Sequence, residues 1–442
     1  MLNVATIASM AVLSPLASSM FTPGIDQIAK GLHTSTNSVI ACSTGFVVML
    51  GIGPLVHAPL SETVGRRRMY LSCFGIFTVL QIPSALAPNV ETLIVMRTLA
   101  GFFGSVSIAN GGGSLSDMFE ANQRAGIFGW YLLGPLMGPL MGPLFGGVIV
   151  QRLDWRWIFW ILSIVCCMST ASAFFFLRET YASMILSARK RRLEKLNCTP
   201  HKYRFEGEDS RSLFLKLRSS LTRPLRILIQ PIVLTMSTYQ AILFATTYSL
   251  YTNFQPIYQG IYHFSTEQVG LAYLGPGLGF LFCVWFIVPR IDTVYNALTA
   301  SRTKSGTHGV PEFRLPLANI GSVFIPASLF MFAWSVADHR PWILSMVAAF
   351  FYGIGQVIIL NSTTNYYIDC FEKYAASAIA AGALFRSVVG GIVPLFAPAL
   401  FERLGYGWGI SVFGFLALAI APAPLAFYYY GGRVRERFRI EL

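Results

Sequence analysis

Gly134-Pro-Leu-Met-Gly-Pro-Leu-Met-Gly-Pro-Leu-Phe-Gly-Gly147 is a stretch that one environment favours as regular structure. In water its glycines and prolines would break a helix. Yet it lies in a long interval, from Arg124 to Arg152, that holds no charged residue between those two arginines. In hydrocarbon every backbone N–H and C=O must be satisfied within the segment, so an apolar run of this length becomes a helix. Gly134, Gly138, Gly142 and Gly146 then recur every four residues and fall on one stripe, which permits close approach by a neighbouring helix. The prolines remove internal hydrogen bonds and bend the segment.

Eleven further runs of similar length flank it. Together they cover roughly 1–22, 38–59, 69–87, 92–116, 126–150 and 157–177, then 227–252, 268–289, 317–337, 342–366, 376–400 and 409–430, each near the twenty residues that cross a bilayer. The totals agree. Apolar residues make up 54% of the 442 and charged residues 12%, against about 25% charged in soluble domains, and mean hydropathy is +0.57. A soluble fold, a disordered chain and a disulfide scaffold are excluded. The fold class is an all-α integral membrane protein: a bundle over 1–177, a basic linker over 178–226, a second bundle over 227–430 and a tail over 431–442.

Orientation follows from charge. With the N-terminus inside, 26 of the 33 lysines and arginines fall on the cytoplasmic side and 5 on the other, and Arg97 and Arg386 lie within spans. The positive-inside rule therefore places both termini in the cytoplasm. The net charge of +13 is spread over membrane-proximal loops, so anionic lipid and not nucleic acid is the expected partner. Seven cysteines lie mostly in apolar runs without a C-x-x-C, and six histidines are scattered. No metal or cofactor is expected. The chain starts at the membrane edge without a basic n-region, a poor fit to a cleaved signal peptide.

The loop after the second run reads Gly53-Pro-Leu-Val-His-Ala-Pro-Leu-Ser-Glu-Thr-Val-Gly-Arg-Arg-Arg68. Gly65 permits a tight reversal, Glu62 can cap a helix or pair with an arginine, and Arg66 can reach another acid at the membrane surface. Asp117, at the end of Asn110-Gly-Gly-Gly-Ser-Leu-Ser-Asp117, is that acid. Arg97 sits about 8 Å inside the opposite end of the fourth span. A charge there costs about 2.5–3.5 kcal/mol on insertion scales, so it should face a wet cavity or a partner; snorkelling is the alternative. In the second half, Pro289-Arg-Ile-Asp292 stands as a degenerate counterpart of the first loop. Gln240, Tyr248, Asn361, Asn365, Tyr366 and Arg386, with Asn110, are the candidate cavity lining; amides in a span otherwise serve as interhelical glue.

These marks resemble the fungal drug:proton antiporters of the major facilitator superfamily, the twelve-helix group of multidrug, polyamine and mycotoxin exporters. The resemblance rests on G-P-L-x-x-A-P-L-S-E-x-x-G-R-R from Gly53, R-x-x-x-G from Arg97, and G-P-x-x-G-P-x-x-G-G through Gly138, Pro139, Gly142, Pro143, Gly146 and Gly147. W-R-W-I-F-W from Trp155, E-T-Y from Glu179, P-E-x-R-L-P from Pro311 and Tyr-Gly-Gly-Arg ending at Arg433 continue it. It implies two pseudo-symmetric six-helix bundles with substrate near the midplane between them. It further implies a monomer in the plasma or vacuolar membrane that exports a small amphiphilic compound against protons. Glu62, Arg66 and Asp117 would form a charge relay, Arg97 would couple the proton, and Gly142-Pro143 would bend the fifth helix.

Two departures stand out. Ala58 replaces the loop motif's initial glycine, and no Asp or Glu falls in the middle of any apolar run. An uptake symporter for a metabolite or polyamine, and a transporter-like sensor, are the rival readings; the triple glycine repeat disfavours the first, and the short linker and tail disfavour the second. A membrane enzyme would need clustered histidines or a His/Asp pair, which the sequence lacks.

Overall fold

The structure is a computed structural model describing residues 2–119, 121–196, 213–303, 310–371 and 374–438. Every regular element among them is helical. The first bundle comprises Leu2–Ser19 (continued by Thr22–Gly24 and Ile25–Gly31), Thr36–Val64, Arg66–Ala85, the broken pair Val90–Gly104 and Val106–Met118, Ala121–Arg152 and Arg156–Phe176. These are the first to sixth spans.

The second bundle begins with Pro231–Gly260. An eighth span follows as Thr266–Ala272, Leu274–Phe282, the wider turn Cys283–Ile287 and Val288–Thr303. Pro316–Ala337 and Trp342–Cys370 are the ninth and tenth. The eleventh runs from Ala375–Ile392 into Ala397–Ile420, within which Gly405 (φ 71°) reverses the chain. The twelfth proceeds from that turn through Ala423–Arg437.

Nine helices among the described residues are long and apolar enough to cross a membrane, ten when the seventh is counted with the helix bent against it. The other two spans are Arg66–Ala85, which opens on three arginines, and the 32-residue Ala121–Arg152. Local chemistry sets several starts. The Ser35 hydroxyl accepts from Ser38 N–H, the Asn89 side chain accepts from Thr92 N–H, and Ser265 and Gln268 cap each other reciprocally.

Each half has its own core. One cluster draws its buried residues from 7–177, centred on Phe21, Phe46, Phe74, Phe77 and Phe159. The main cluster of the second half gathers Tyr251, Phe254, Tyr258, Tyr273 and Phe332. Loops that follow even-numbered spans share one face with most of the arginines, the basic face; the others form the opposite face.

Between the bundles lies the basic linker of 178–226. Its described parts are two helices, Ala182–Leu196 and Leu213–Leu228, and the second meets the seventh span at 89°. Leu213, Leu217, Leu221 and Leu228 recur at helical spacing. Residues 197–212 of the linker and 439–442 of the tail lie outside the described residues. The eighth span also outruns its apolar run of 268–289, continuing as helix to Thr303. Pro289–Asp292 is therefore helix and not a loop counterpart.

On the opposite face the bundles are joined. Gln27 donates to Thr266 Oγ1 (3.1 Å) and accepts from Gln255 (3.0 Å), Thr266 N–H donates to Gln151 (3.1 Å), and Arg152 pairs with Glu267 at 2.5 Å. Nearer the middle, Thr44 Oγ1 of the second span donates to the Gly391 carbonyl at 2.7 Å.

Candidate functional site

At the basic face the second span stops at Val64, Gly65 takes φ 106°, and the third span starts at once with Arg66. A helix that starts so abruptly leaves its first N–H groups without intrahelical partners. Glu179 supplies them: one carboxylate oxygen accepts from Arg66 N–H (2.9 Å) and the other from Arg67 N–H (3.1 Å). Thr180 and Tyr181 N–H groups bond the same carboxylate. A Cβ on residue 65 would stand 2.6 Å from that carboxylate, so the glycine is needed for space as well as for its φ.

Arg66 is buried. Its Nε donates to Asp117 at 3.2 Å, its NH1 to Ser61 Oγ at 2.5 Å, and its guanidinium lies 5.3 Å from the Tyr181 ring. Gly113 makes room, since a Cβ there would stand 2.7 Å from the guanidinium. Glu62 is exposed one residue beyond Ser61. The role of a capping acid thus falls to Glu179, whose E-T-Y motif was visible but whose partner was not. Glu179→Ala is expected to cost about 1–2 kcal/mol through loss of the cap. A lowered melting midpoint of purified protein, with Glu179→Gln intermediate, checks this.

The second bundle repeats the device. Arg314 pairs with Asp369 at 2.8 Å as Arg66 does with Asp117, and Arg435 lies 3.3 Å from Glu312. The counterpart of the first loop is therefore Pro311-Glu-Phe-Arg-Leu-Pro316, where the sequence alone had pointed to Pro289–Asp292. Tyr366, expected in the cavity, is fully buried in a cluster with Ile227, Leu315 and Tyr367 beside this site.

Arg97 faces neither water nor the interface. It is fully buried and donates one bond, NH2 to the Ala17 carbonyl at 2.9 Å. Its guanidinium stands 4.3 Å from the Phe46 ring, 5.3 Å from Phe21 and 5.8 Å from Phe159. Three ring faces offset part of the desolvation cost. Nε and NH1 have no hydrogen-bond partner among the described residues.

The glycine stripe of the fifth span seats on the first. A Cβ at Gly138 would reach Pro15 at 2.5 Å, one at Gly142 would collide with the Ser19 hydroxyl, and one at Gly146 with the Met20 carbonyl. Ser19 Oγ donates to the Gly138 carbonyl at 2.9 Å. Gly147, one position round the helix, faces the other bundle instead, with Thr266 O and Gly270 as its neighbours. Pro143 contributes there as well, its carbonyl lying 2.8 Å from a Cβ built on Gly270.

Between the bundles, Arg386 of the eleventh span donates NH1 to Gln240 Oε1 at 3.4 Å and stacks 4.6 Å from Phe244. Its Nε is buried without a partner among the described residues. Tyr248 follows one turn after Phe244, and its hydroxyl lies 3.4 Å from Ser18 of the first span. Ser387 packs on Gly51 of the second span. Arg386, Gln240 and Tyr248 are thus brought together at the bundle interface. Asn361 and Asn365 bond each other on the tenth span at 2.8 Å. Asn110 is elsewhere, accepting from Ser61 at 3.0 Å beside Arg66.

Twelve spans in two cores, a paired charge cluster on one face and a polar centre between the halves invite comparison with transporters. The family model of the Major Facilitator Superfamily matches residues 7–394. The chain belongs to that superfamily. It is 37% identical over 443 residues to the MFS-type transporter tndD of Aspergillus flavipes, covering 99% of this chain and 81% of that protein. It is 37% identical to the efflux pump radE of Floropilus chiversii, covering 100% and 82%, and 35% identical to the efflux pump vrtL of Penicillium aethiopicum, covering 98% and 86%. In fold it is similar to the crystal structure of a D-xylose-proton symporter, with TM-score 0.70, 14% identity and 96% of each chain covered. This superfamily member is a multi-pass membrane transporter of small molecules and not an enzyme.

Proposed function

We propose that this transporter exports a small amphiphilic compound, a xenobiotic or a fungal secondary metabolite, in exchange for protons. The observation that carries export is the fifth span: its glycine–proline repeat lies tight on the first span while Gly147 meets Gly270 of the other bundle. A closely packed, proline-bearing helix at this contact supports rocking of one bundle against the other. Two of the relatives named above are efflux pumps, which supports the same direction.

By the positive-inside rule the basic face is cytoplasmic, with both termini there. The plasma membrane is the preferred site and the vacuolar membrane the other one. The protein works as a monomer, with lipid against the exposed apolar side chains of the spans, among them Val79, Met168, Phe175 and Val323. In that orientation the glutamine cluster and the Arg152–Glu267 pair bar the extracellular side, so substrate enters from the cytoplasm toward Arg386, Gln240 and Tyr248. Arg386 has no carboxylate among its described contacts, which favours neutral or anionic substrates over polyamine cations.

Inverted vesicles from a host without its own pumps test this. Under an imposed pH gradient they are expected to accumulate members of a panel of neutral and acidic amphiphilic toxins, and spermine at low concentration should not compete. Arg386→Gln should weaken the acidic members selectively. Accumulation that ignores the gradient, or strong competition by spermine, would contradict the reading.

A further inference from the structure

We propose that His57 is the proton-binding residue of the transport cycle, held ready by the broken turn of the fourth span. The inference rests on the proton-antiport reading and supplies the group that reading lacks. No Asp or Glu lies in the middle of an apolar run, and a guanidinium holds its proton throughout the physiological range. An imidazole is the side chain that exchanges a proton there, its unperturbed midpoint being about 6.5.

Three of the other histidines, His33, His263 and His339, sit in loops with positive φ, while His57 is inside the helix Thr36–Val64. It lies seven residues before Val64, which at 1.5 Å each is about 10 Å in from the basic face. The ring is 2% exposed, so the position is dry and an ionisable group there is a functional candidate.

Its partner is placed with care. His57 Nδ1 lies 3.0 Å from Ser105 Oγ, and Ser105 is the residue at which the fourth span breaks between Val90–Gly104 and Val106–Met118. Gly53, one turn before His57, allows the approach: a Cβ there would collide with the Ser105 hydroxyl. The Phe102 ring stands 4.6 Å from the imidazole and Phe103 6.4 Å, faces that would stabilise an imidazolium. One turn further along the second span, Ser61 bonds Asn110, and Arg66 bonds both Ser61 and Asp117. The Asn110 amide nitrogen is buried with no partner among the described residues. The second and fourth spans therefore share a polar seam that runs from His57 to the basic face.

Charged groups on the surrounding elements are engaged elsewhere. On the fourth span Arg97 is in its aromatic cage and Asp117 holds Arg66 of the third. Arg386 of the eleventh span rests on Gln240 and Phe244, and Arg223 of the linker helix lies over Tyr374.

The step is proton binding alone, with no covalent change. A proton from the extracellular side adds at Nε2 of the neutral ring, whose Nδ1–H already donates to Ser105 Oγ. Ser105 Oγ already donates to the Phe102 carbonyl at 2.7 Å, so the added charge acts on the broken turn. The proton leaves along the seam toward the cytoplasm when the basic face opens.

The test needs no substrate. Spin labels at Arg68→Cys and Ile368→Cys, in a background without other reactive cysteines, report the distance between the bundles at the basic face in nanodiscs. One group can move the open-to-closed ratio by up to about tenfold per pH unit. The wild type is expected to shift toward the closed basic face as the pH is lowered from about 8.5 to about 4. His57→Gln should be flat, and Ser105→Ala should keep the slope but move its midpoint. A wild-type slope in His57→Gln, or a wild type indifferent to pH, overturns the proposal. Should His57→Gln fail to fold, an unchanged midpoint in Ser105→Ala overturns it instead. Vesicle transport separates the two readings: gradient-driven accumulation that survives His57→Gln removes His57 and leaves antiport. A pH response through His57 without gradient-driven transport removes antiport and leaves the site.

Discussion

Arg97→Met is expected to leave the folded protein at least as stable as the wild type while gradient-driven transport falls to background. A buried cation costs several kcal/mol in desolvation even after relaxation. Arg97 recovers part of this from three aromatic faces and one carbonyl, each ring worth up to about 2 kcal/mol when dry. No acid pairs with it among its described contacts. A neutral side chain of similar length removes the desolvation cost and keeps packing against Phe21, Phe46 and Phe159, which is often neutral or stabilising. Arg97→Lys tests the geometry, because a compact ammonium cannot stack on the rings as a planar guanidinium does. Melting midpoints and vesicle accumulation on the same preparations check both. A transporting Arg97→Met variant would remove Arg97 from the mechanism, and one that does not fold would make its role structural.

The two adjacent glycines of the fifth span are expected to behave differently. Gly146→Val drives a branched side chain onto the Met20 carbonyl within one bundle. Backbone cannot step aside as a side chain can, and overpacking of this kind costs about 1–3 kcal/mol or more, so the yield of folded protein should collapse. Gly147→Ala places its Cβ 2.8 Å from the Thr266 carbonyl, at the joint between the bundles. That strain can be relieved by separating the halves on the opposite face. A strain of about 1.4 kcal/mol changes the equilibrium tenfold. A cysteine at Gln27, beside the joint, should then react several-fold faster with a membrane-impermeant reagent from the extracellular side. Equal rates in both backgrounds would mean that Gly147 does not govern closure.

Much of this architecture could be read from the chain, because hydrocarbon leaves a long apolar segment few options but a helix. The stripe of Gly134 to Gly146 even announced a close neighbour, though not that the first span would be it. What escaped was pairing between segments. Arg314 and Asp369 are separated by the ninth span, its loop and nearly all of the tenth, and nothing in either local sequence fixes their register. Tyr366 sits beside polar amides in the chain, yet the helix turns it into a core cluster while Asn361 and Asn365 face another way. Arg97 was expected to need water or a partner; phenylalanines from three other segments supply the surroundings, and single apolar residues carry no mark of that use. Glu179 was legible as a motif but not as the cap of a helix that begins 113 residues earlier.

Antiport requires substrate and proton to move in opposite directions through one protein. Sealed proteoliposomes loaded with a pH indicator and held without a pH gradient measure it most directly. A panel compound that accumulates in the inverted vesicles is loaded on the side facing the basic face and allowed to run down its own gradient. Acidification of the compartment the compound leaves is the expected result, absent with Arg97→Met and with His57→Gln. Transport of the same compound with no pH change, or with alkalinisation of that compartment, would contradict antiport.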